Sequence, residues 1–199
     1  MTAAYELGRR GYDCQILEAR SFAGGRCQSS REGFTTTEVD GSTRTCEFDS
    51  GQYFNHGAWR LPSYHHALFH YIRKFYVPME IMVQENDQGY LLHDNAEGPL
   101  DEQVEAAIED SERIHPGQFR KHYDGKAFSI SWHRAKYNEG GWSQWSPPDR
   151  AKHVPVLREA QGRVYFAGDY ISGLAGWQVG AVESAWTQIE KVHARAQTA

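Results

Sequence analysis

Apolar positions fall in short bursts along this chain, and the period of each burst assigns an element. Ala3, Ala4 and Leu7 share one helical face within residues 2–10, with Gly11 placed as the C-terminal stop. Residues 13–19 follow as a run of strand length, with Cys14, Ile16 and Leu17 apolar, broken by Gly24-Gly25. Helix, glycine stop and strand make the second half of a βαβ unit. Residues 31–48 are rich in Thr and alternate in polarity, which predicts a hairpin turning near Asp40-Gly41-Ser42. Residues 62–75 predict a helix: Leu68, Phe69, Tyr71, Ile72 and Phe75 are its apolar positions, and Arg73-Lys74 suit the negative end of its dipole. Residues 79–84 read as a strand, 93–99 as a loop, and 100–111 as a polar helix with Val104, Ala107 and Ile108 inward. A strand over 125–133, an aromatic loop over 137–148 and a compact strand over 163–167 come next. A turn through Gly168 and Gly173-Leu174-Ala175-Gly176 then leads into a last helix over 178–195. The pattern is α/β at both ends, with no internal repeat.

Composition narrows the function classes. A chain of 199 residues can bury a proper core as one large domain or two small ones. It carries 21 Lys and Arg against 26 Asp and Glu and has no basic cluster, which argues against nucleic acid or an anionic membrane and for a small-molecule partner. The first ten residues lack an apolar signal core, and no run approaches the roughly 18 apolar residues of a spanning helix. The expected location is cytoplasmic. Cys14, Cys27 and Cys46 form no C-x-x-C pair and are odd in number, as reduced thiols would be. His66 and His70 share a helical face, but no nearby carboxylate or cysteine completes a ligand set, so His65, His66 and His70 read as surface histidines and no metal is expected. Self-association stays open.

The sharpest local feature is Leu17-Glu18-Ala19-Arg20 followed by Gly24-Gly25-Arg26. In a dinucleotide fold, an acid ending the second strand takes hydrogen bonds from ribose hydroxyls, about 20 residues beyond a glycine-rich phosphate loop. Counting back from Glu18 reaches Met1, and no G-x-G-x-x-G precedes the first helix. By itself Glu18 is more often a solvated strand-end acid than a ribose ligand. The whole pattern Glu-Ala-Arg-x-x-x-Gly-Gly-Arg, however, resembles the signature of flavin-containing amine oxidases, close to the L-amino-acid oxidases. The resemblance implies that Glu18, with Ala19 and Arg20, holds the FAD ribose, and that Gly25 and Arg26 pack against the phosphate and flavin side.

Two further blocks carry the same resemblance. Phe48 to Pro62, with Asn55-His56-Gly57-Ala58-Trp59-Arg60 at its centre, is similar to the stretch where a glycine turn passes the flavin and an arginine reaches the substrate carboxylate. Gly57, Ala58 and Trp59 then face the cofactor, and Arg60 binds substrate. A planar, always charged guanidinium suits a carboxylate. The bland reading of Arg60 is an ion pair at the helix start. The block Val164-Tyr165-Phe166-Ala167-Gly168-Asp169-Tyr170, then Gly176-Trp177-Gln178, resembles the C-terminal FAD motif, with Asp169 where Glu is usual. There Gly168, Asp169, Trp177 and Gln178 contact FAD, while Trp177 walls the substrate and the Gly176 carbonyl meets its amine. Trp177 also fits a buried core aromatic, and the loop Gly140 to Pro148 fits either core packing or a loop near the flavin.

The resemblance thus implies an α/β fold with a partial Rossmann-like FAD-binding domain. Residues 1–62 are its N-terminal part, 63–99 a remnant of the substrate domain, and 100–199 the completing C-terminal part. The implied activity is oxidative deamination of an L-amino acid or amine to keto acid or aldehyde, ammonia and hydrogen peroxide, with dioxygen as co-substrate and no catalytic side chain assigned. The rival reading is a catalytically inactive remnant or interaction module without flavin, favoured by the missing glycine-rich loop.

Overall fold

The computed structural model describes residues 1–58, 60–82 and 100–198. The helices are α1 (Thr2–Arg9), α2 (His66–Lys74), α3 (Leu100–Ile114), α4 (Phe119–His122), α5 (Pro147–Arg158) and α6 (Gln178–Thr198). The strands are β1 (Ser29–Arg31), β2 (Thr35–Thr37), β3 (Thr43–Thr45) and β4 (Tyr53–Asn55). Among the described residues β1 pairs with β4 and β2 with β3, both antiparallel. The fold is mixed α and β. Contacts divide it into two compact units, one made of 1–25, 58–79 and 140–199, the other of 26–57 and 80–139.

In the first unit α1 and α2 both pack on α6. The apolar spacing explains why: Ala67 and Tyr71 on α2 meet Val179 and Val182 on α6, with Tyr5, Leu68, Leu174, Trp177 and Trp186 around them. Tyr71 joins all three helices, since its hydroxyl donates to Glu6 Oε1 at 2.9 Å and accepts from Trp186 Nε1 at 2.7 Å. Burial raises the Tyr71 pKa, so this hydroxyl keeps its proton to donate. Gly11, at φ 87°, follows α1 as expected. The helix expected over 62–75 starts at His66, because 62–65 form a tight turn in which His65 N–H reaches the Pro62 carbonyl at 3.0 Å.

α2 ends in a Schellman motif: Val77 N–H bonds the Ile72 carbonyl at 3.0 Å and Tyr76 N–H the Arg73 carbonyl at 3.3 Å. The left-handed position, normally glycine, is held by Tyr76 at φ 53°, with its side chain 90% exposed. The ring gains no burial to offset the strain. Tyr76→Gly is therefore expected to stabilise the chain by about 0.5–1 kcal/mol, the strain relief outweighing the flexibility added to the unfolded state. A urea midpoint that falls instead would show that Tyr76 makes a contact of its own.

Several expected strands do not form. Residues 13–19 and 165–167 form no strand, and Ile16 and Leu17 are 57% and 86% exposed. A strand needs a ladder partner, and among the described residues neither segment enters a ladder. Gln161 and Val164 only pair across a tight turn. Residues 79–82 and 125–133 are likewise irregular. Residues 83 and 84, and the loop expected over 93–99, lie outside the described residues.

The 137–148 loop hides a helix start. Ser146 caps α5 by accepting from Asp149 N–H at 3.2 Å, with prolines at the first two helical positions. The expected 100–111 helix runs on to Ile114.

The hairpin of the second unit turns as expected. Gly41 at φ 87° bonds the Glu38 carbonyl at 3.0 Å, and β2 and β3 pair Thr36 with Arg44. Buried Glu38 then forms ion pairs with Arg44 at 3.4 Å and Arg134 at 2.5 Å, while Arg134 also reaches Asp40 at 3.3 Å. This charge cluster and the Glu38–Ala135 bridge fasten the hairpin to the segment around Arg134. Among the described residues no helix is long and apolar enough to cross a membrane.

Candidate functional site

The three sequence blocks form three clusters. In the first, Glu18 sits exposed and folds back on its own loop. Its Oε1 accepts from Arg20 N–H at 3.0 Å and lies 3.6 Å from Arg20 Nε. That backbone hydrogen bond, first among the causes, lowers the Glu18 pKa and keeps the carboxylate ionised. Arg20 lies over the Phe22 ring at 5.2 Å and against Gly25, whose φ of +60° turns the chain. Ala19 is exposed, and its backbone amide also helps to lower the Glu18 pKa.

The second cluster lies in the second unit. Gly57 passes so close to the Arg26 carbonyl that a Cβ at residue 57 would sit 1.7 Å from its oxygen. Beside it, His56 Nδ1 meets the Ser30 hydroxyl at 2.8 Å, Trp132 Nε1 donates to the His56 carbonyl at 3.3 Å, and the His56 ring packs among Phe34, Phe128 and Trp132. Sequence reasoning read Gly57 as passing the flavin; the contact found is with backbone. Ala58 and Arg60 are exposed on the approach to α2, and Trp59 lies outside the described residues.

The third cluster is the loop from Gly168 to Gly176, and it is heavily braced. Asp169 Oδ2 accepts from Gly176 N–H at 2.7 Å, closing the loop end to end. Ser172 Oγ donates to the Asp169 carbonyl at 2.8 Å and accepts from Leu174 N–H at 2.9 Å. Gly168 N–H reaches Ser184 Oγ on α6 at 3.1 Å, Trp145 Nε1 reaches the Tyr170 carbonyl at 2.8 Å, and Arg158 Nε reaches the Ile171 carbonyl at 2.8 Å. Gly176, at φ +81°, lies against the Trp142 ring. The loop delivers half-buried Trp177 and Gln178 at the start of α6.

Chain segments far apart in sequence meet here. His65, five residues after Arg60 and 1% exposed, packs edge-on to Trp177 with ring centroids 4.9 Å apart. This corrects the surface reading of His65: the turn over 62–65 directs its ring inward. His70 lies against Tyr71 and Trp186 instead. Among the described residues no group of three His, Cys, Asp or Glu side chains is gathered as a metal site.

A model of the flavin containing amine oxidoreductase family matches residues 1–99 and 88–192. The chain belongs to this family. Its flavin oxidoreductase relatives include the L-amino-acid oxidases of Trimeresurus stejnegeri (33% identical), Pseudechis australis (34%) and Echis ocellatus (32%), each over 90 residues. Those stretches are 45% of this chain but only 14%, 14% and 15% of the relatives' own lengths. Family membership implies a flavin cofactor, and two features of the chain fit one: an ionised acid exposed at Glu18, and a braced glycine loop at the start of a long helix, whose amide ends favour negative charge. Asp169, expected to reach the cofactor, commits one carboxylate oxygen to the loop itself.

Sequence reasoning missed His65, Ser172 and Gly180 as shapers of this loop. Gly180 carried a signal, four residues after Gly176 and on the α6 face that meets the loop. His65 carried none, because burial depends on the turn before it.

The site also sets a pH dependence. Burial lowers the pKa of both His56 and His65. As pH falls below the ordinary histidine value of about 6.5, the unfolded chain takes up these protons first, so stability present above that value is lost. Glu18 and Asp40, also lowered, extend the loss into the acid range. Urea midpoints are expected to fall steadily between about pH 7 and pH 5. A midpoint flat across that window would place both imidazoles in water.

Proposed function

We propose that this chain serves FAD-dependent oxidative deamination: an L-amino acid or amine, dioxygen and water become keto acid or aldehyde, ammonia and hydrogen peroxide. The observation that carries this reading is the junction of Arg60's segment with the Trp177 loop through His65. Arg60 would clamp the substrate carboxylate with its planar fork. The Gly176 carbonyl would accept from the substrate amine, and Trp177 would wall the reacting carbon from water. Glu18, held ionised, would accept from the ribose hydroxyls of FAD, and the N-terminus of α6 beyond Gln178 would stabilise negative charge on the cofactor. A bound flavin supplies the two-electron acceptor and the route to dioxygen. In this scheme residues 1–62 and 100–199 are parts of the FAD-binding, Rossmann-like domain, and 63–99 belong to the substrate domain.

The second reading, a module of the same family that holds no flavin, is favoured by Asp169, which commits one carboxylate oxygen to the Gly176 N–H of its own loop. An absorbance spectrum of the purified chain from about 300 to 550 nm, before and after adding FAD and then an L-amino acid, separates the two. A bound flavin band that bleaches with the amino acid is the expected result. No retained flavin would overturn the catalytic reading in favour of the module.

A further inference from the structure

His65 is an unusual occupant of its position. It is the N-cap residue of α2, where a short side chain would ordinarily bond the first free amides, yet it makes no cap hydrogen bond. Its ring is 1% exposed, and neither Nδ1 nor Nε2 has a hydrogen-bond partner among the described residues. Phenylalanine would fill the same space without two unsatisfied nitrogens. The ring meets Tyr64 and Trp177 edge-on, each with centroids 4.9 Å away, so the turn before α2 touches the indole that opens α6, which also packs on the cluster of Ala67, Tyr71, Val179 and Val182.

We propose that His65 is a positioning residue for Trp177, holding the indole in place by ring packing while the imidazole is neutral and letting it go when the imidazole takes up a proton. The proposal rests on the reading of Trp177 as a substrate wall for its consequence, but not for its mechanism. A neutral imidazole tolerates a buried place against two aromatic rings, whereas the cation needs an acceptor on each nitrogen, and none of the described residues provides one. Glu183 faces it from α6 and favours the charge, but that carboxylate is exposed and burial prevails. Tyr64 and His66 flank it in sequence, and His70, one turn on, lies against Tyr71 and Trp186. With Trp177 released, the wall beside Gly176 opens, so a substrate site there is complete only above the midpoint of His65.

The test follows the Trp177 indole N–H by NMR in the 199-residue chain without flavin, from about pH 8 to pH 5, with the signal assigned by its loss in Trp177→Phe. A one-proton curve with its midpoint below about 6.5 is expected, abolished in His65→Phe while the spectrum stays dispersed. Should His65→Phe not fold, the His65 ring C–H signal of the native chain must share the Trp177 midpoint. A Trp177 signal that is flat in the native chain, a curve unchanged in His65→Phe, or unequal midpoints for the two rings would overturn the proposal. Because no flavin is present, its failure is read separately from that of the oxidase assignment, which the absorbance spectrum decides.

Discussion

Gly57→Ala is expected to lower the stability of the unit that contains it by about 3 kcal/mol or more. The added Cβ would stand 1.7 Å from the Arg26 carbonyl oxygen and 2.8 Å from its carbon. Both are backbone atoms, so no rotamer change relieves the clash. Relief requires the chain at Arg26 to part from the chain at Gly57, and these positions lie next to the pairing of Ser29 with Asn55 that joins β1 to β4. The Ser30–His56 hydrogen bond and the aromatic cluster on His56 would move with them. Urea unfolding followed by Trp132 fluorescence is the suitable readout, since that ring comes within 3.6 Å of the same Cβ position. Gly141→Ala is the control, with open space around it. Equal midpoints for the two variants would mean that Arg26 and Gly57 do not approach in solution.

Gly180→Ala pits two effects against each other. Within a helix, alanine is ordinarily better than glycine by about 1 kcal/mol. Here the methyl would lie 2.2 Å from Ser172 Oγ and 2.3 Å from the Leu174 carbonyl oxygen. Ser172 Oγ is the atom that ties the Asp169 carbonyl to the Leu174 amide, so the methyl displaces the brace of the whole loop. The packing loss is expected to win, giving a net destabilisation of about 2 kcal/mol and faster hydrogen exchange at the Leu174 and Gly176 amides. Gly173→Ala, in open space in the same loop, is expected to leave both unchanged. A stabilised Gly180→Ala would mean that the loop does not rest on α6.

What the sequence disclosed follows from the range of the forces involved. α1, α3 and α6 were legible because helices close their bonds locally and their apolar stripes show directly. The hairpin was legible from Asp40-Gly41-Ser42 for the same reason. The lack of strands around Ile16 and Phe166 was not, because whether a segment pairs depends on a neighbour that its own residues do not specify. α5 was hidden by its two leading prolines, Pro147 and Pro148, read as loop formers when they stood behind the cap Ser146. In the site, the motif blocks pointed to Glu18, Asp169, Gly176 and Trp177, and the structure gives each a defined place. The sequence was silent on the partners of the loop before α6, His65, Ser172 and Gly180, whose roles arise only once α2 and the loop meet α6.

The hydrogen bond between Tyr12 and His193, 2.7 Å long and spanning 181 residues of chain, joins the segment after α1 to the far part of α6. During synthesis, α1 leaves the ribosome long before α6 exists. At eight residues α1 is too short to persist alone in water, and α2 at nine is little better. Both therefore wait, unfolded, for α6 to arrive, and the first unit gains its core in one late step. Its folding rate should be governed by closing that long loop, and a nascent chain should depend on chaperones until α6 emerges.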